Sequence, residues 1–157
     1  MIKSGIGYDV HSLVKGEELI IGGVKIDSSW GSVGHSDGDV LLHAIVDALL
    51  GASKLGDIGM HFTSSDERWK GMESIHFLEQ AALLVRGQGF EIDHVDSTVI
   101  LEEPKLAEII PQMVYKVSYT LKIDEAAVSI KATTTDKMGF IGRGEGVGAM
   151  AIATISK

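Results

Sequence analysis

Residues 36–51 constrain the fold of this chain more than any other stretch. Val40, Leu41, Ala44, Ile45, Ala48 and Leu49 recur at helical spacing and make one apolar face. Ser36, with Asp39 three residues on, predicts a capping box at the start, and Gly51 predicts the stop. Asp39, His43 and Asp47 stand four apart, so they share a polar stripe on this otherwise apolar helix. A helix of that character needs other elements of its own domain to cover it.

The rest of the chain supplies them. From residue 2 to 10 the pattern alternates, with Ile2, Ser4, Ile6, Tyr8 and Val10 on one face. Lys3, Gly5, Gly7, Asp9 and then His11 fall on the other. Residues 19–26 form a second strand-like run, broken by Gly22 and Gly23, and the two runs are candidate partners in a hairpin. Residues 55–66 read as a loop, and residues 73–86 as a helix ended by Gly87 and Gly89. Residues 92–101 are β-rich; residues 104–121 are mainly helical, with Pro111 setting the true start near itself. A short strand at 127–132, a polar loop at 133–146 and a closing strand at 147–156 complete the chain. No linker or repeat interrupts it. The alternation predicts one α/β (α+β) domain over residues 1–157, with a mixed four- to five-stranded sheet covered by helices on one face.

Composition narrows the chemistry. With 45% hydrophobic residues, 23% charged residues and 2 prolines in 157, nothing suggests disorder. A net charge of −8 without any basic block argues against nucleic acid, which needs clustered Lys and Arg to displace counterions. The absence of cysteine excludes disulfides, thiolate zinc sites and a cysteine nucleophile, so any metal must be held by His, Asp or Glu. The first residues lack a signal-peptide pattern, and no apolar run approaches the ~20 residues of a membrane span. No membrane partner is expected, and the expected location is cytoplasmic.

Four groups of residues could carry chemistry. Asp9 and His11, two apart on a strand, project from the same face and could reach one ion, although a solvated strand end looks the same. His43, on the apolar helix, could be a satisfied core histidine or a ligand. With Asp9 and His11 it would make a two-histidine, one-carboxylate set with an open position, as in catalytic zinc sites. Flanking carboxylates on the stripe could orient its second ring nitrogen. Thr133, Thr134, Thr135 and Asp136, leading into Gly139, Phe140, Gly142 and Arg143, offer hydroxyls, backbone N–H groups, a carboxylate and a guanidinium fork to phosphates. An exposed turn would read alike. Asp57, Ile58 and Gly59 could meet vicinal hydroxyls, a weak signal alone.

Taken together, the strings GYDVHS, IIGGVKI, GHSDGDVLLHAIVDALLGASKLGDIG, EEPK, IPQM and KATTTDKMGFIGRGEG resemble the 2-C-methyl-D-erythritol 2,4-cyclodiphosphate synthase family of the non-mevalonate isoprenoid pathway. The resemblance spans essentially the whole chain. It implies a homotrimer with active sites between neighbouring subunits, converting 4-diphosphocytidyl-2-C-methyl-D-erythritol 2-phosphate to the cyclic diphosphate with release of CMP. Asp9, His11 and His43 match the zinc ligands, and Asp136 matches the carboxylate for Mg²⁺ or Mn²⁺. His35 and Thr134 match positions assigned to transition-state stabilisation. Asp57 and Gly59 match ribose contacts; Leu101, Glu103, Pro104, Lys105, Leu106 and Ala107 match the pocket around cytosine and its phosphates. Ser36, Ile58, Phe62, Asp66, Thr133 and Thr135 match further substrate contacts. Phe140 and Arg143 match residues near an axial channel that takes isoprenoid diphosphates.

Three positions depart from the family pattern. Asp136 stands where glutamate is usual, which shortens the reach by one methylene. Phe62-Thr63-Ser64-Ser65-Asp66 replaces FPDTD, which should loosen that loop, so no substrate contact is assigned to Ser64 or Ser65. Gly34 replaces alanine, a minor change on sequence grounds. Two other readings stay open: a metal-dependent phosphohydrolase, and a trimer that binds isoprenoid diphosphates after losing catalysis.

Overall fold

The computed structural model describes residues 1–34 and 36–157, so the expected catalytic residue His35 lies outside the described residues. Strand β1 spans Ile2–Lys15, longer than its alternating stretch, and β2 (Leu19–Ile21) and β3 (Val24–Ile26) follow. Then come β4 (Trp30–Val33) and helix α1 (Val40–Ala52). Short α2 (Ile58–His61), α3 (Ser74–Gly87), β5 (Glu91–Ile100) and α4 (Ile110–Leu121) follow, and then β6 (Val128–Thr133), short α5 (Gly139–Gly142) and β7 (Gly146–Ser156). Five strands form one mixed sheet in the order β4-β1-β7-β5-β6, in which only β5 and β6 run parallel among the paired neighbours.

The expected hairpin between the first two runs is not made. β2 and β3 pair with each other across Gly22 and Gly23, whose φ values of 61° and 73° suit a tight turn. β1 pairs instead with β4 and β7. The two glycines interrupt no single strand; they are the turn of a separate ribbon. Two loops also hold a helical turn each: α2 lies within residues 55–66 and α5 within 133–146.

Helix α1 is the keystone. Leu41, Leu42, Ile45, Leu49 and Leu50 are all fully buried, and truncating any one to alanine costs about 2–5 kcal/mol in sites of this kind. The helix lies on β1 and β7, with α3 alongside it. On β1 it covers the glycine-bearing face. A methyl at Gly7 would overlap the Ala44 carbonyl oxygen, and one at Gly5 would overlap backbone atoms of Ala48 and Ala52. Small residues on both partners thus let helix and strand backbones touch. The other face of the sheet carries Ile6, Tyr8, Met150 and Ile152, each at least 44% exposed.

The start of α1 is also set differently from its expected capping box. Asp39, not Ser36, is the N-cap, accepting from Leu42 N–H at 3.1 Å. Gly51 lies inside the last turn, and Ser53 is the C-cap. Asp39 is wholly buried because its carboxylate also accepts from Gly22 N–H (2.9 Å) and Gly23 N–H (2.7 Å). One side chain therefore docks the β2–β3 turn onto the helix. The expected polar stripe dissolves accordingly: Asp39 serves the fold. Asp47 accepts from Ile58 N–H at 2.7 Å and anchors α2.

Candidate active site

Because α1 presses on Gly5 and Gly7, the next residues on that face of β1, Asp9 and His11, emerge beside His43. His11 Nε2 lies 2.7 Å from Asp9 Oδ2 and 3.1 Å from His43 Nδ1, and His43 Nδ1 lies 3.1 Å from Asp9 Oδ2. On its far side His11 Nδ1 is 3.0 Å from the Val33 carbonyl, which can only accept. Nδ1 therefore carries the proton in the neutral ring, and Nε2 turns its lone pair to the cluster. Burial alone would raise the Asp9 pKa, but hydrogen bonds and charge from His11 and His43 hold the carboxyl well below the usual range. Burial opposes charge on His11, and the Asp9 carboxylate more than offsets it, so the pKa is raised.

The three side chains are the one His/Asp/Glu group among the described residues with metal-binding geometry. A tetrahedral ion with zinc-type bonds holds its ligand atoms roughly 3.3 Å apart. The observed separations of 2.7–3.1 Å come close to that. The donor set, two imidazoles and one carboxylate, suits zinc better than magnesium.

Beside the triad opens a cavity of about 390 Å³, lined by His11, Ser36, His43, Ile58, Gly59 and Phe62 together with Gly34, Ser64, Trp69, Lys70 and Phe77. Phe62 stacks on Phe77 with ring centroids 4.8 Å apart, and Trp69 meets both edge-on. Asp57 caps α2, accepting from Met60 N–H at 2.9 Å, which holds Ile58 and Gly59 at the rim. The Thr63–Asp66 turn is tied rather than slack: Thr63 and Ser65 hydroxyls are 2.7 Å apart, and Asp66 N–H donates to Thr63 O at 3.0 Å. Ser64 lines the cavity, whereas the Asp66 carboxylate, an expected substrate contact, is taken by the Arg68 backbone and guanidinium.

A second, smaller cavity of about 250 Å³ is lined by Leu101, Pro104, Lys105, Leu106 and Ala107 with Thr133 and Thr134. It shares no lining residue with the first. Next to it, Glu102 accepts from Thr135 N–H (2.7 Å) and Lys137 N–H (3.4 Å). That carboxylate holds Asp136 and Lys137 in left-handed backbone conformation, with φ of 51° and 63°.

The sequence model of the YgbB family matches residues 2–156. This chain belongs to that family. It is 50% identical over 156 residues to the 2-C-methyl-D-erythritol 2,4-cyclodiphosphate synthase of Alkaliphilus oremlandii, covering 99% of each. Among solved structures, a 2C-methyl-D-erythritol-2,4-cyclodiphosphate synthase with CDP bound gives a TM-score of 0.91 at 32% identity, covering 98% of this chain and 100% of that one. The bifunctional IspDF of Campylobacter jejuni gives 0.95 at 41% identity, covering 99% of this chain, which spans 42% of that protein.

Within this YgbB-family chain, Glu103 and Arg143 line a further cavity of about 670 Å³ together with Leu101 and Pro104. Glu103 is exposed, with its carboxylate 3.9 Å from Lys105 Nζ. Phe140 packs over Gly146, where a methyl would come within 2.9 Å of the ring. Arg143 is exposed and paired with Glu145, Nε to Oε1 at 3.0 Å. Glu102, Trp69 and Phe77 were not expected at the site. Glu102 sits in the EEPK string and could have been suspected as an acid beside a loop of N–H donors. Trp69 and Phe77 look like any core aromatics in sequence. Gly34 matters more than expected: a methyl there would approach His11 Cε1 to 2.9 Å.

Proposed function

We infer that this protein closes 4-diphosphocytidyl-2-C-methyl-D-erythritol 2-phosphate into 2-C-methyl-D-erythritol 2,4-cyclodiphosphate and releases CMP, a phosphorus–oxygen lyase reaction of isoprenoid biosynthesis. The observation that carries it is the Asp9–His11–His43 cluster at the mouth of a cavity, in a chain that synthases of this name match end to end. An oxygen of the substrate's 2-phosphate attacks the β-phosphorus, and the bond from that phosphorus to the CMP oxygen breaks. No protein nucleophile is needed, in keeping with a chain that has no cysteine.

Both reacting groups are anionic and repel each other. Zinc held by Asp9, His11 and His43, and Mg²⁺ or Mn²⁺ held by Asp136, would supply the Lewis-acid charge that offsets this. Phe62 borders the methylerythritol end, and Asp57 and Gly59, with Ile58 between them, meet ribose. Leu101 and Pro104 through Ala107 enclose the cytosine. Thr133 and Thr134 donate to the diphosphate, with His35 and Thr134 stabilising charge at the transition state, while Thr135, whose N–H and hydroxyl are given to Glu102 and Met138, shapes the turn that presents them. Holding both ends of one molecule removes an entropic barrier that reaches ~7–11 kcal/mol in well-oriented cases.

A homotrimer belongs to the same reading. The bare apolar sheet face of Ile6, Tyr8, Met150 and Ile152 supports it, because exposed patches of this kind mark association surfaces. So does the division of the site into two cavities, which a neighbouring subunit would bring together. Phe140 and Arg143 would then border an axial channel for an isoprenoid diphosphate, with Glu145 giving up Arg143 to the phosphate. No helix among the described residues is long and apolar enough to cross a membrane, and a cytoplasmic location completes the proposal.

Phosphorus NMR of the products tests the reaction. A cyclic diphosphate with stoichiometric CMP is expected; inorganic phosphate would establish hydrolysis instead, and no turnover with Mg²⁺ present would leave a binding protein.

A further inference from the structure

We propose that Ser74 and Asp37 are positioning residues that fix His43 in the tautomer with its proton on Nε2, leaving Nδ1 free as the metal-binding atom. The inference rests on the metal reading of Asp9, His11 and His43 and adds the device that keeps one ligand ready.

Ser74 opens α3 and is fully buried. Its backbone N–H donates to Asp37 Oδ2 at 3.0 Å, and its hydroxyl donates to Asp37 Oδ1. Asp37 is itself anchored, because Oδ1 also accepts from Asp39 N–H at 3.2 Å. A serine has one hydroxyl proton, and here a carboxylate takes it. Towards His43 Nε2, 2.8 Å away, Ser74 Oγ can therefore only accept. Ser36 Oγ lies 3.0 Å from Ser74 Oγ and, less closely, 3.2 Å from His43 Nε2, and Ser74 Oγ, its own proton spent on Asp37, is free to accept the Ser36 proton. The nearest partner of Nε2 is thus an acceptor, and the shorter bond places the hydrogen on Nε2.

The other end of the ring explains why this matters. His43 Nδ1 lies 3.1 Å from the Asp9 carboxylate, which would readily accept a proton from Nδ1. That rival tautomer would cap the ligand atom with hydrogen and spend the Asp9 oxygen on it. The pull of Asp37, passed through one hydroxyl, opposes the pull of Asp9. Metal-bound histidines usually give their second N–H directly to a carboxylate. Here the nearby carboxylates of Asp39 and Asp47 are committed to Gly22, Gly23, Leu42 and Ile58, and a serine bridges to a third.

Long-range ¹H–¹⁵N correlation on metal-free protein with labelled histidine tests this without reference to catalysis. Wild type should show a pyrrole-type Nε2 and a pyridine-type Nδ1 for His43 at mildly alkaline pH. Ser74→Ala keeps the backbone N–H to Asp37, so α3 stays capped, and should shift the ring towards the Nδ1–H form. Ser36→Ala, with Ser74 and Asp37 in place, should keep the wild-type pattern. Zinc affinity, measured by chelator competition, should fall about 10–100-fold in Ser74→Ala. A wild-type ring protonated on Nδ1, or a Ser74→Ala ring and affinity like wild type, would overturn the proposal while leaving the metal site standing. Wild type that binds no zinc despite the expected tautomer would overturn the metal reading itself, and with it the purpose assigned to Ser74.

Discussion

The triad and the threonine loop are built in opposite ways. Asp9, His11 and His43 stand on a central strand and a buried helix, and the outward nitrogen of each imidazole is already engaged by Val33 or Ser74. The half-buried Thr134 and Thr135 and the exposed Asp136 stand on a turn after β6, which the carboxylate of Glu102 ties down through Thr135 and Lys137. One part of the site is a by-product of core packing, and disturbing that packing disturbs the site. The other is local polar architecture, and can be altered while the fold stays intact.

The largest expected effect is on the packed side. His43→Ala should lower turnover by roughly 10³-fold or more and remove most bound zinc, while the protein stays folded. Full metal occupancy in that variant would break the ligand assignment. Gly7→Ala drives a methyl into the Ala44 carbonyl and should cost about 3 kcal/mol in denaturant unfolding, separating helix from strand and loosening the triad with it. An unchanged midpoint would break the link between packing and site.

On the loop side, Asp136→Ala should raise the Mg²⁺ requirement by roughly tenfold, with zinc content and thermal midpoint unchanged. A fall in zinc content would show that the two halves are not separable. Asp39 gives a subtler test of the packed side. Burial raises its carboxyl from 3.8 to about 6, against the hydrogen bonds from Gly23, Leu42 and Gly22. A raised folded-state pKa means that folding takes up a proton between those values. Its contribution is present below about pH 4 and is lost as pH rises through about 6. Wild-type stability should therefore fall relative to Asp39→Asn across that interval, and a constant difference in urea midpoints would refute it. The smallest effect is Gly34→Ala, which should shift the His11 ring and cost less than about 1 kcal/mol; a visible His11 resonance change without a stability change would place the strain on the site.

Much of this was legible in the chain itself. The apolar period of α1, the alternation of β1 and the start of α4 near Pro111 are local properties, because side-chain direction follows from the backbone period alone. The meeting of Asp9, His11 and His43, and the shared cavity of Leu101, Pro104 and Lys105, were legible through long shared strings. What the chain could not show is which partner lies across from each face. Ile6 and Tyr8 look like the core side of β1, yet the glycine side is buried, because only residues without bulk let α1 come close enough to bring His43 to Asp9 and His11. Asp39 looked like a neighbour for His43 and instead holds a turn 16 residues earlier, while Ser74, 31 residues beyond His43, holds its ring. Periodicity is fixed by neighbours in the chain. Hydrogen-bond partners and buried faces are fixed by what packs opposite, and that is decided only when the distant parts of the chain meet.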